Sequence, residues 1–349
     1  MSEREKILEI RNLVFSFRTY GGVVHAVRDV SFDVRRGEIL GIVGESGCGK
    51  SVTAQCILRL NPEPPGFFEN GEILYGGSDI LKMKKKELRN IRTREIGFVF
   101  QDPMTSLNPT MRIGDQIEEV FLSRTDISKK EVKERALGIM RLVGISDVER
   151  RYKQYPHELS GGMKQRIMIA IALVSEPSVI ICDEPTTSLD VTIEAQILDL
   201  LMDLRERLGT SVIMITHDLG VIAKMCDRVI VMYGGKIVET GDVREIFYET
   251  KHPYTMGLMK SIARLDMDKN DVLTPIEGTP PDLFSPPRGC PFAARCDEAM
   301  EVCHRYMPGE TVLSSGHMTR CWLMHEYARY NSADKGADPI SALNGGGGR

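Results

Sequence analysis

The 349-residue sequence has no run approaching the roughly 18 apolar residues that a transmembrane helix needs. Its opening, MSEREKILEI, is charged and lacks the apolar stretch of a secretory signal peptide. Nor is there an excess of one charge. Against 45 Lys and Arg stand 49 Asp and Glu, a formal net charge of −4, which gives no bulk attraction to nucleic acid or to an anionic membrane. Sustained heptads are absent as well. These absences lead to the expectation of a cytoplasmic chain that reaches a membrane only by docking to a partner spanning it. What is present is ordinary for a globular protein, 42% hydrophobic and 27% charged, with length for a full core and two structural units.

Residues 7–34 alternate like a pair of strands around Gly21-Gly22. The run ILGIVG (39–44) reads as a buried parallel strand, and it leads through a glycine-rich loop into VTAQCILRL at helical spacing. Asn61-Pro62-Glu63-Pro64-Pro65-Gly66 breaks that helix. From about 87 to 174 the pattern is mostly helical. Two more buried strands are expected at SVIICDE (178–184) and SVIMITHD (211–218), with a helix between them, so strands alternate with helices as in an α/β domain with a parallel sheet. VIVMYGGKIVETG reads as a hairpin turning at Gly234-Gly235. Beyond about Lys251 the chain becomes rich in Pro, Gly and Cys and is expected to form a separate appendage (251–330), followed by a flexible tail (331–349).

Gly44-Glu45-Ser46-Gly47-Cys48-Gly49-Lys50-Ser51 fits the phosphate-loop pattern G-x-x-x-x-G-K-[ST] without a mismatch. Glycines let successive N–H groups turn toward one concave point, and the helix opening there adds its positive end. Lys50 is then placed to reach the β- and γ-phosphates, and Ser51 to offer its hydroxyl to Mg²⁺. Ser46, Gly47, Cys48, Gly49 and Val52 complete the expected nucleotide contacts, Cys48 through its backbone only. Downstream, the apolar strand 179–182 ends in Asp183-Glu184. Neighbouring side chains at a strand end point to opposite sides, so Asp183 is expected in the magnesium shell and Glu184 as the general base that polarises water. Seven basic residues between Lys82 and Arg94 read as a solvated helix face rather than a nucleic-acid patch.

Eight cysteines are unevenly spread. Cys48, Cys56, Cys182 and Cys226 are scattered singly and read as small apolar residues. Cys290, Cys296, Cys303 and Cys321 follow the spacing C-x5-C-x6-C-x17-C. In a reducing compartment such a group points to a metal centre, either Zn²⁺ or a [4Fe–4S] cluster, with His304 and His317 near enough in sequence to replace a ligand.

Leu159-Ser160-Gly161-Gly162-Met163-Lys164-Gln165-Arg166 resembles the signature LSGGxxQR of ABC ATPases. Gln101 matches that family's Q-loop, Ser188-Leu189-Asp190 its D-loop and His217 its switch histidine, all in family order over residues 7–250. The resemblance implies a P-loop NTPase fold with an antiparallel β subdomain, a helical subdomain at about 102–176 and a cysteine-rich C-terminal extension. It implies two ATPase subunits, identical or homologous, paired head to tail, with Ser160, Gly161 and Gly162 serving the partner's ATP. Gln101 would join the Mg²⁺ shell, His217 would sense the γ-phosphate, and Phe17 or Tyr20 would stack on adenine. QDPMTSLNP, HPYT and GCPFAARC narrow the resemblance to the ATPase subunits of bacterial dipeptide and oligopeptide importers. In that subfamily the four cysteines are associated with an iron–sulfur cluster. Two membrane-spanning permease subunits, an extracytoplasmic peptide-binding protein and a peripheral place on the cytoplasmic face of the membrane follow from the same resemblance. The rival function is a soluble ABC ATPase acting on nucleic acid or ribosomes, which a chain with one P-loop and no heptads fits poorly.

Overall fold

The structure is a computed structural model and describes residues 5–121, 127–187, 189–261, 276–314, 316–326 and 328. The phosphate-loop strand β3 (Ile39–Val43) lies at the centre of an eight-stranded sheet. Its neighbours are β8 (Ser211–Ile215) on one side and β9 (Arg228–Tyr233) on the other, both parallel to it. Beyond β8 come β7 (Val179–Asp183) and β6 (Ile96–Val99), again parallel. Strands β3, β7 and β8 are buried along their whole length. Their unbroken apolar runs follow from that, because successive residues feed opposite faces. Ile180, Cys182, Val212 and Met214 join one core with the 161–173 and 191–208 helices, while Val179, Ile181, Ile213 and Ile215 join another beneath the second sheet.

That second sheet is antiparallel. It consists of β1 (Lys6–Thr19), β2 (Gly22–Arg35), β4 (Gly66–Tyr75) and β5 (Ser78–Asp79), in the order β2-β1-β4-β5. The expected β1–β2 hairpin is present, with Thr19 paired to Gly22. Strand β4 is absent from the sequence reading, since it begins at the proline-rich break, and β6 lies within a stretch read as mostly helical. Only four residues long, β6 is set by its pairing with β7 rather than by its own pattern. Between β6 and β7 run helices at Ile113–Glu119, Lys129–Leu142 and Gly161–Leu173. Much of the basic stretch 82–94 is an exposed surface, as expected, although Arg92 donates to the carbonyls of Leu58 and Arg59 at 2.9 and 2.6 Å.

The expectation of a separate appendage after 251 is corrected. The hairpin β9–β10 (β10, Lys236–Asp242) turns as read, but β10 then pairs with β12 (Met318–Thr319), and β12 with β11 (Thr311–Val312). The late chain thus extends the main sheet. Buried Glu239 of β10 secures it, accepting from the N–H groups of Lys251 and His252 at 2.7 and 3.1 Å and lying 2.9 Å from His317 Nε2. Residues 331–349, read as a tail, lie outside the described residues.

Candidate functional site

The chain leaves β3 into a loop in which Gly44, Gly47 and Gly49 all have positive φ. A Cβ at Gly44 would fall 2.2 Å from the Met232 carbonyl, and one at Gly49 2.4 Å from the Ala26 carbonyl. Glycine is required at both on two counts, space and conformation. Gly49 precedes the helix Lys50–Ile57, whose first N–H groups face the loop. Lys50 is buried and folds back over this concavity, donating to the carbonyls of Gly44 and Glu45 at 2.8 and 3.0 Å. Cys48 is buried, and desolvation pushes its thiol pKa up, which leaves an unreactive side chain. Ser46 and Gly47 are exposed, and Val52 is half-buried against the core.

Ser51 donates to Asp183 Oδ1 at 2.8 Å, bringing the loop and the end of β7 together. Burial raises the Asp183 carboxyl pKa, opposed by the Ser51 hydrogen bond. A hydroxyl beside a carboxylate is an oxygen donor set suited to Mg²⁺. Glu184, the next residue, lies just past the end of β7 at a positive φ and diverges from Asp183. Its carboxylate accepts from Gln101 Nε2 at 2.9 Å and from the Thr187 hydroxyl at 2.8 Å, and it lies 3.4 Å from His217 Nδ1. Gln101, Glu184 and His217, far apart in sequence, therefore meet. Thr187 is the member of this group that sequence reading missed, and only its place three residues after Glu184 could have pointed to it.

Ser160, Gly161 and Gly162 stand elsewhere and, among the described residues, make no hydrogen bond to that group. Ser160 caps the helix Gly161–Leu173, accepting from Met163 N–H at 3.4 Å, and its neighbour Gly161 is likewise exposed. Ser188 lies outside the described residues, while Asp190 caps the helix Val191–Leu208. Of the two aromatics, Phe17 is half-buried with its ring edge-on to Phe15 at 5.1 Å, and Tyr20 is fully exposed in the hairpin turn.

Cys290, Cys296, Cys303 and Cys321 line one small cavity with His252, Phe292 and Trp322. Burial pushes the Cys290 thiol up to about 12 and the Cys321 thiol up to about 11, and raises that of Cys296. As they stand, no group of three or more His, Cys, Asp or Glu among the described residues is arranged to hold a metal ion. The cavity's chemistry nevertheless suits an anionic thiolate-ligated group. His252 Nδ1 accepts from Tyr254 N–H at 3.1 Å, which leaves Nε2 carrying the proton, and buried Nε2 has no partner. Neither histidine named from sequence joins this wall: His304 is exposed, and His317 is engaged with Glu239. The histidine that lines the cavity is His252.

Residues 27–187 match the family described as ABC transporter, and residues 238–303 the family described as oligopeptide/dipeptide transporter, C-terminal region. The chain is 54% identical over 326 residues to the dipeptide transport ATP-binding protein of Bacillus subtilis, covering 93% of this chain and 97% of that one. To the oligopeptide transport ATP-binding protein of the same organism it is 53% identical, over 92% and 89% of the two chains. A solved dimeric ATP-binding cassette in a post-hydrolysis state, bound to ADP and Pi, superposes with a TM-score of 0.61 at 29% identity, covering 68% of this chain and 99% of that one. With the phosphate loop, the Asp183-Glu184 pair and the fold in agreement, the chain belongs to the ABC transporter family as an ATPase akin to the dipeptide and oligopeptide transport ATP-binding proteins.

Proposed function

We propose that this ATPase powers the import of dipeptides or oligopeptides through a membrane ABC transporter, on whose cytoplasmic face it sits as a peripheral subunit. The observation that carries this reading is likeness to peptide-transport ATP-binding proteins along cassette and late chain alike. Two such subunits, identical or homologous, pair head to tail, so that Ser160, Gly161 and Gly162 of each close over the nucleotide on the other's phosphate loop. The exposure of Ser160 and Gly161 and the place of all three at a helix start suit an anion arriving from outside the chain. The pair works on two permease subunits, fed by an extracytoplasmic peptide-binding protein.

In this reading Lys50 and the loop N–H groups hold the phosphates, and Ser51, Gln101 and Asp183 form the Mg²⁺ shell, Asp183 in part through water. Glu184 takes the proton of the attacking water. His217 reports the γ-phosphate to Glu184, which it approaches from an exposed position. Tyr20, exposed in its turn, and Phe17, half-buried beside Phe15, are the candidates for adenine stacking. Residues 1–250 act as the ATPase unit, with 102–176 as its helical part and 251–330 as a cysteine-bearing extension whose strands β11 and β12 join its sheet.

We infer further that Cys290, Cys296, Cys303 and Cys321 hold a [4Fe–4S] cluster, with Zn²⁺ as the alternative occupant. Four thiols on one cavity wall and the unpartnered His252 N–H support this. Such a cluster supplies one-electron chemistry or a structural cross-link. Metal and sulfide analysis of anaerobically purified protein distinguishes the two, and protein lacking both iron and zinc removes the assignment. For the transport reading, ATPase activity in vesicles containing the permeases should rise when peptide-loaded binding protein is added. No stimulation by any peptide would sink the cargo assignment while leaving the ATPase intact.

A further inference from the structure

The phosphate loop contains an acidic side chain, Glu45, at a place where a nucleotide brings several negative charges. Unpaired, it would oppose ligand binding. In the structure it is paired, and its partner comes from the far end of the chain. Arg295, beside Cys296, donates through Nη1 to Glu45 Oε2 at 2.7 Å. The same guanidinium is fixed on its other edges, donating to Tyr233 Oη at 2.9 Å and to the carbonyls of Glu277 and Ile276 at 2.8 and 3.0 Å. Its side chain is only 7% exposed, and this geometry requires a buried, planar, permanently charged donor.

A second contact from the same region reaches the same residue. Tyr254, wholly buried, accepts the Glu45 N–H at 2.8 Å. Its ring and those of Tyr233 and Phe292 pack together in tilted and edge-on contacts, with centroids 4.5 to 5.3 Å apart. Glu45 is thus held by backbone and side chain, from a part of the chain beyond the residues that carry the ATPase motifs.

We propose that Arg295 is a positioning residue for nucleotide binding: it neutralises Glu45 and draws its carboxylate aside, so that the phosphate loop presents a net positive concavity to the polyphosphate. The proposal rests on the reading of residues 44–51 as the ATP phosphate site. It makes the affinity of that site depend on the late, cysteine-bearing segment, through a charge rather than through packing. The energetic effect therefore grows with ligand charge, which a loss of packing does not do.

The test measures binding of ATP, ADP and adenosine to the full chain and its variants by calorimetry or competition. Arg295→Met should weaken ATP by about tenfold and ADP by less, and leave adenosine unchanged. Arg295→Lys should lie between wild type and Arg295→Met. Glu45→Gln combined with Arg295→Met should return ATP affinity to within about threefold of wild type. Equal losses for all three ligands, no loss for ATP, or no recovery in the double variant would each overturn the proposal. If Arg295→Met does not fold, Glu45→Gln alone decides: ATP affinity equal to or tighter than wild type supports it, and weaker affinity refutes it. Failure of wild-type protein to bind ATP would instead reject the phosphate-loop reading itself.

Discussion

Glu184 leaves β7 with a φ of 46°, a conformation that non-glycine residues avoid, and its N–H is tied to the Ile215 carbonyl at 2.9 Å. Strain of this kind costs of order 1–3 kcal/mol and persists where surrounding contacts over-determine it. Here the turn separates two adjacent carboxylates, sending Asp183 to Ser51 and Glu184 to Gln101, Thr187 and His217. Glu184→Gln should retain nucleotide binding but slow hydrolysis by about 100-fold or more, read from phosphate release beside a binding isotherm. Full turnover would remove the general-base role. Thr187→Val takes one donor from the Glu184 carboxylate and should lower kcat by about tenfold with little change in ATP affinity, because a hydrogen bond to a charged group contributes about 1.5–3 kcal/mol. An unchanged kcat would show that the hydroxyl is dispensable.

Gly49 in the loop after β3 and Gly138 in a distant helix allow a comparison of two glycines in one assay. Gly49→Ala would press a Cβ to 2.4 Å from a backbone oxygen of β2, at a φ of 98°. It should cost about 3 kcal/mol or more, the sum of backbone strain and overpacking. Gly138, exposed in the helix Lys129–Leu142, has nothing within 4 Å of the place an added methyl would occupy. Gly138→Ala should stabilise by about 0.5–1 kcal/mol through helix propensity and a less flexible unfolded chain. Denaturant midpoints should therefore move in opposite directions, and a shift of the same sign in both would contradict the packing assigned to the loop.

Cassette and late chain behave as one body because β12 joins the main sheet and Glu239 is wholly buried between them. Glu239→Leu would leave the Lys251 and His252 N–H groups and the His317 ring without their acceptor. A loss of about 3 kcal/mol or more is expected, from unsatisfied buried donors. Limited proteolysis should then open the chain beyond residue 250 before the sheet itself melts. Unaltered protection there would mean that β11 and β12, not Glu239, hold the segment.

The motifs were legible because each lies within a few consecutive residues. Gly44 to Ser51, Leu159 to Arg166 and the strand ending in Asp183-Glu184 each announce their chemistry in a short window, and buried parallel strands show as continuous apolar runs. The scattered members were not. Thr187 carries no signal of its own, His252 sits in a segment named only for its resemblance, and Arg295 meets Glu45 across a separation of 250 residues. Strands β4 and β6 were likewise hidden, β4 because it begins at a proline-rich break and β6 because a four-residue strand takes its conformation from a neighbour. Local pattern alone thus establishes a phosphate-loop ATP site, and the resemblance of the other motifs to those of ABC ATPases implies its type and their order along the chain. Whether the cysteine-bearing end stands apart from that site or grips it depends on long-range pairing of buried strands and charges, which no local window contains, and the folded chain resolves it in favour of contact.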